Sequence, residues 1–216
     1  MDALNLDIFD SISLNEMNSV SLMKRMDTKF ILHRDAVQAI LNKVQFDYKI
    51  LQVARDRLMT YHSVYFDTDD DHFYHMHHNG HSHRIKVRIR NYVESNLCFL
   101  EVKQKDSQGN TLKKRIKVNQ LTSTLGEEAI TFVTQTTAKQ ITLHKSIENQ
   151  FNRFTLVSTA LQERVTMDTN LSYNGVIFNK NLVIIELKQE KLNRLSPLFQ
   201  ALKAQSINPY SISKYC

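Results

Sequence analysis

Three stretches decide the fold: RIKVRIRNYV (84–93), NLCFLEVKQK (96–105) and TLKKRIKV (111–118). Side chains alternate across a strand, so Ile85, Val87 and Ile89 share one face of the first stretch and Lys86, Arg88 and Arg90 the other. In the second, Leu100 and Val102 oppose Glu101 and Lys103. In the third, Lys113, Arg115 and Lys117 lie together. The breaks near Glu94–Asn96 and Asp106–Asn110 are short and polar, as hairpin connections are. The reading is three consecutive antiparallel strands, each with an apolar face and a charged one.

The pattern recurs on both sides of this core. RMDTKFIL (25–32) reads as a strand with Arg25, Asp27 and Lys29 on one face and Met26, Phe30 and Leu32 on the other. TYHSVYFDT (60–68) is β-branched and aromatic, which favours a strand. Further strands are expected at 152–160, 162–170 and 181–189. There Arg164, Thr166 and Asp168 share a face, and so do Glu186 and Lys188. One helix is expected from an N-cap at Asp35, carrying Val37, Ile40, Leu41 and Val44 at core spacing, and another after Ser196–Pro197 to about 205. Residues 121–150 lose the alternation. Ala129, Ile130, Val133, Ile141 and Ile147 read there as helical, with a Thr-rich interruption at 134–137. Residues 1–24 read as a helical segment on the spacing of Leu14, Met17, Val20 and Met23. The expectation is one α+β domain over 1–216, built on a largely antiparallel sheet.

Composition excludes several classes. The chain has 216 residues, is 42% hydrophobic and 23% charged, and contains only four Gly and two Pro. It therefore has material for a core and is not low-complexity. No apolar run is long enough to span a bilayer, and the acidic N-terminus lacks a signal-peptide pattern. Two cysteines, Cys98 and Cys216, make no disulfide framework and suit a reducing, cytoplasmic setting. The GxxxxGK phosphate loop is missing, which excludes P-loop chemistry. A net charge of +6 points to an anionic partner. Nucleic acid is the weaker candidate, because aliphatic residues back the basic strands and only Tyr92 stands near them for stacking. Alternation alone allows two architectures. One is an open sheet with its charged face in water; the other is a closed barrel with the charges lining a polar lumen.

The ordered series MDTKFIL (26–32), YFDT (65–68), HHNG (77–80), KVRIRNY (86–92), FLEVKQK (99–105), KKRI (113–116), RVTMD (164–168), IIELK (184–188) and SKYC (213–216) resembles the VTC domain. This is the polyphosphate polymerase domain of the CYTH-like triphosphate tunnel metalloenzymes. The resemblance covers residues 25–216 and implies an antiparallel β-barrel around a basic tunnel, with helices outside. It implies that Lys29, Arg88, Arg90, Lys103 and Arg164 carry the catalytic charge. Lys113, Arg115, Arg153, Lys188 and Lys214 would join them in binding ATP and polyphosphate, and Glu186 would hold Mn²⁺ or Mg²⁺. The implied activity is transfer of the ATP γ-phosphoryl group to a growing polyphosphate chain. Hydrolysis of triphosphate or polyphosphate, and non-catalytic binding of polyphosphate or inositol phosphates, are the alternatives. No motif speaks to oligomeric state.

Phosphoryl transfer asks for this set of residue types. It needs positioning and charge stabilisation more than covalent help. Guanidinium forks grip phosphate oxygens in pairs, and lysines act as movable point charges. Glu101 is expected to orient Lys103 or Arg88, and Asp168 to accept from Arg164. With like charges repelling in an empty site, Arg88→Ala or Arg90→Ala is expected to be neutral or stabilising for the apo fold. The histidines of HFYHMHHNGHSH (72–83) raise the idea of a zinc site. Their spacing matches no familiar one, and surface histidines in a connection between strands are expected.

Overall fold

The computed structural model describes residues 4–18 and 26–216. Val20, Met23 and Arg25, used in the sequence reading, lie outside the described residues. In chain order the strands and helices are β1 (Ser11–Ile12), α1 (Leu14–Asn18), β2 (Met26–His33), α2 (Val37–Val44), β3 (Lys49–Leu51), β4 (Met59–Asp67) and α3 (His72–His78). There follow β5 (Arg84–Tyr92), β6 (Leu97–Lys105), β7 (Thr111–Val118), α4 (Glu127–Thr137), β8 (His144–Ser158), β9 (Glu163–Tyr173), β10 (Val176–Ile177), β11 (Leu182–Gln189) and α5 (Pro197–Lys203). No helix among the described residues is long and apolar enough to cross a membrane.

The chain forms two compact units. The first comprises Met1–Met59, Phe151–Leu171 and Ile177–Ile212; the second comprises Thr60–Gln150, Ser172–Val176 and Ser213–Cys216. In the first unit the strand order is β2-β11-β9-β8, antiparallel where β11 meets β2 and β9. The short β1 and β3 pair in parallel, and β3 adds to β8. The core forms where the apolar face of this sheet meets two helices. Phe30, Leu32, Val165, Met167, Val183, Ile185 and Leu187 pack with Val37, Ile40, Leu41 and Val44 of α2 and Leu198, Phe199 and Leu202 of α5. Ser196 caps α5, its Oγ accepting from the Phe199 N–H.

In the second unit the order is β8-β4-β5-β6-β7. The β5–β6 and β6–β7 ladders run through nearly their whole length, as the hairpin reading requires. Val64, Phe66, Val87, Ile89, Leu100 and Val102 form its core with Ala129 and Val133 of α4 and Phe73 of α3. The fold is α+β and mostly antiparallel. As hydrogen-bonded among the described residues, however, the sheet is open, with β2 and β7 as its edge strands, where a closed barrel was expected.

Local corrections have local causes. Asp35 does not cap α2. A 3-10 turn at Arg34–Ala36 precedes that helix, and Ala36 stands at the cap position without a side-chain bond. Ile147 belongs to strand β8, not to a helix. The helical stretch in this region ends at Thr137, with Ala138 in the left-handed conformation at φ 54°. The histidine-rich segment forms α3 in place of a plain connection. The Asp67 carboxylate builds the start of that helix, accepting from the N–H groups of Phe73 and Tyr74 at 2.8 Å each.

Candidate functional site

The charged strand faces gather in two groups, one in each unit. In the first unit the register places Lys29, Glu186 and Thr166 in one row and Asp27, Lys188 and Arg164 in the next. The aliphatic residues between them turn to the α2–α5 core, and this is why the charges share a face. Lys188 donates to Glu186, and Arg153 binds Asp168 bidentately at 2.5 and 2.8 Å. Asp168 therefore takes Arg153 as its partner, where Arg164 was expected. Arg164 instead donates to the Met17 carbonyl at 3.4 Å. Lys29 donates to the Ile212 carbonyl at 3.0 Å. Burial works to raise the Glu186 pKa, but Lys188 first, then Arg153 and Lys29, hold it at about 2. Glu186 is thus an ionised carboxylate at any working pH. Burial, reinforced by repulsion from Arg153, leaves the Lys188 ammonium below its ordinary pKa despite the attraction of Glu186.

In the second unit the rows are Ser63–Arg90–Phe99–Lys117, Tyr65–Arg88–Glu101–Arg115 and Lys86–Lys103–Lys113. Glu101, only 2% exposed, sits under this cationic face. It accepts from Arg88 Nε and Nη2 at 2.8 and 2.6 Å and from the Lys113 ammonium. Glu101 thus orients Arg88, as expected of it toward Lys103 or Arg88, and holds Lys113 as well. Burial opposes its ionisation, yet Arg88 and Lys113 bring its pKa to about 2. Arg90 donates to Ser63 Oγ at 3.0 Å, and the Arg115 guanidinium lies 4.4 Å from the Phe99 ring centre. Lys103 is exposed on this face. Lys214 is half-buried in the chain's last residues, where its carbonyl accepts from Asn149 at 3.0 Å.

Residues outside the sequence-derived set complete this second group. Tyr65 accepts from Arg88 Nη1 at 3.1 Å and stacks on Tyr215, with ring centres 5.0 Å apart. Tyr215 donates to Asp67, and Lys86 donates to Ser213 Oγ at 2.9 Å. In the first unit, Thr166 Oγ1 is buried beside Glu186 without a hydrogen-bond partner among the described residues. YFDT and SKYC were visible as motifs, but a tyrosine in a strand pattern reads as core until its register against an arginine is known. No group of three or more His, Cys, Asp or Glu side chains able to hold a metal occurs among the described residues.

These faces sit on a fold shared with solved proteins. A Bacillus halodurans protein described as a candidate adenylate cyclase aligns with a TM-score of 0.57 at 15% identity, covering 88% of this chain and 94% of that one. A candidate adenylate cyclase from Vibrio parahaemolyticus aligns at 0.51 and 12% identity, covering 88% and 95%. HpAC1 from Hippeastrum, a candidate adenylyl cyclase with a dominant triphosphatase activity, aligns at 0.51 and 14%, covering 88% and 93%. None of the curated proteins matches. The fold and the sequence series define the class as CYTH-like proteins of the triphosphate tunnel fold. The VTC domain model matches residues 24–216, and the chain belongs to that family.

Proposed function

We propose that this chain is a polyphosphate polymerase-like phosphotransferase that moves the γ-phosphoryl group of ATP onto a polyphosphate chain. The observation that carries the reading is the cationic face of the second unit, where Lys86, Arg88, Arg90, Lys103, Lys113, Arg115 and Lys117 share one side of β5–β7 with Glu101. Such a surplus of cations on rigid strands suits a ligand with a charge at every repeat. Arg88, held from two sides, is set to grip phosphate oxygens in a fixed orientation. Lys103, Lys113 and Arg115 extend the face along β6 and β7, and Lys214 and Lys29 add ammonium groups in their own units. Tyr65 and Tyr215 are buried and stacked on each other, so they offer no platform to a nucleic-acid base. The family match runs through residues of both units, which supports one functional domain over the chain.

Glu186 suits a divalent cation of the Mn²⁺ or Mg²⁺ type. It is ionised, and the unpartnered Thr166 oxygen beside it is a second oxygen donor. One carboxylate cannot hold a metal alone, but Mg²⁺ is commonly bound by one or two carboxylates together with substrate phosphates. When bound, such an ion would offset charge on the transferring phosphoryl group. Lys188 is the counter-charge that Glu186 would exchange, and its ammonium would then be available to a phosphate oxygen. Arg153 stays committed to Asp168 and acts on Glu186 by its field, while Arg164 lies in the row beside it.

Two free cysteines, one buried and one exposed, suit a cytoplasmic location. The deciding experiment is incubation with ATP and Mn²⁺ or Mg²⁺, with products resolved as phosphate or polyphosphate. Chain growth is expected. Free phosphate alone would assign hydrolysis, and no turnover alongside tight polyphosphate binding would assign a binding module.

A further inference from the structure

Tyr65 occupies an unusual chemical position in the second unit. Its ring is 3% exposed, and its hydroxyl accepts a hydrogen bond from Arg88 while donating to no group among the described residues. A buried phenol normally finds an acceptor for its proton. The nearby carboxylates are already engaged. Glu101 is taken by Arg88 and Lys113, and Asp67 by Tyr215 and the first turn of α3. Cations, by contrast, crowd the hydroxyl. Lys86, Arg88 and Arg90 of the paired strand β5 all bear on it.

We propose that Tyr65 is a proton-coupled member of the anion-binding face. In the empty protein its hydroxyl gives up its proton and neutralises the cations of β5; when a phosphate chain binds, it regains one proton from solvent and donates it as a hydrogen bond to a phosphate oxygen. No bond to phosphorus forms. One negative charge on the protein is exchanged for the charges of the ligand, so the cations are never left uncompensated. The proposal rests on the reading of this face as a phosphate site and deepens it.

The charged and titratable groups whose field reaches Tyr65 fit this role. On β5 stand Lys86, Arg88 and Arg90, and on β6 Glu101, which reaches it only through Arg88. On the last residues stand Tyr215 and Cys216, and at the end of β9 stands Tyr173. Burial by itself raises the Tyr65 pKa, but Arg88, Arg90 and Lys86 bring it down to about 7. The neighbouring acids move the other way. Burial lifts Tyr173 to about 12, and burial together with the bond to Asp67 lifts Tyr215 further still. Cys216 is raised as well, burial leading. Tyr65 is therefore the tyrosine of this cluster set to ionise near neutrality.

The test is the ultraviolet difference spectrum of tyrosinate, with tripolyphosphate as the probe. At about pH 8.5, well above the Tyr65 pKa, the empty wild type should show one tyrosinate that disappears at saturating tripolyphosphate. Tyr65→Phe should lack it, and Tyr173→Phe should keep it. Calorimetry in buffers of different ionisation enthalpy should find proton uptake approaching one per site above about pH 7. Wild-type affinity should fall about tenfold per pH unit relative to Tyr65→Phe in that range. A wild type without tyrosinate, or one whose tyrosinate survives saturation, would overturn the proposal; both measurements need no variant. Failure of tripolyphosphate to bind would overturn the exchange together with the reading of the face. That outcome is told apart because calorimetry would then record no heat of binding.

Discussion

The two units treat charge differently on faces built in the same way. In the first, two carboxylates each stand close to one cation: Glu186 with Lys188 and Asp168 with Arg153. In the second, Glu101 serves Arg88 and Lys113 together, and Lys86, Arg90, Lys103, Arg115 and Lys117 share the face with it. A balanced face can hold its geometry without a ligand and keep an ionised carboxylate ready for a cation. A surplus face is held under mutual repulsion and gains most from a polyanion. On the proposed function, the first unit would balance charge at a metal and the second would capture the anion.

The largest expected effect strikes the surplus face. Glu101→Gln takes from Arg88 and Lys113 the carboxylate they share, leaving the Tyr65 oxygen as the acceptor for Arg88 alone, and should destabilise the fold by about 3–5 kcal/mol, read from chemical denaturation. Tripolyphosphate should restore much of the loss, because it supplies the missing negative charge. For the same reason the neutral or stabilising outcome expected for Arg88→Ala from like-charge repulsion gives way to a loss of stability. That variant strands buried Glu101 with Lys113 alone. A Glu101→Gln protein as stable as wild type would break the comparison.

Glu186→Gln should act on turnover and leave the fold intact. At saturating Mn²⁺ and ATP we expect turnover to fall about 100-fold, with polyphosphate affinity unchanged or tighter. An equal loss of both would place Glu186 in anion binding and erase the contrast between the units.

Acid should weaken both faces together. Glu101 and Glu186 are depressed from the ordinary 4.5 to about 2. A depressed carboxylate contributes stability that is fully present above its unfolded pKa and is lost as pH falls through the folded one. Stability should therefore decline between about pH 4.5 and pH 2, and Glu101→Gln should flatten part of that decline. The smallest effect belongs to exposed Lys103. Lys103→Ala should leave the melting temperature unchanged and weaken tripolyphosphate binding only a few-fold, more at low salt than at high.

Much of the fold was legible in the sequence because strands report themselves locally. Val87 and Ile89 against Arg88 and Arg90 show a period of two whatever the rest of the chain does. The segment 138–150 was not legible. Ile141 and Ile147 fit a helix by spacing, but the long β8 ladder draws Ile147 into a strand, a tertiary override of local preference. α3 was hidden for a related reason: its start is built by Asp67, a side chain on the preceding strand.

The site divides along the same line. The sequence by itself determined which residues share a charged face, since parity along a strand is covalent geometry. It also supplied the family series that names Lys29, Arg88, Lys103 and Glu186. Only the tertiary structure decided the partners, because register between strands sets which charges meet. It gave Asp168 to Arg153, Glu101 to both Arg88 and Lys113, and placed the Tyr65 hydroxyl against a guanidinium with no acceptor for its proton among the described residues. Pairing depends on distances of a few ångströms between residues far apart in the chain, and alternation along one strand carries no information about them.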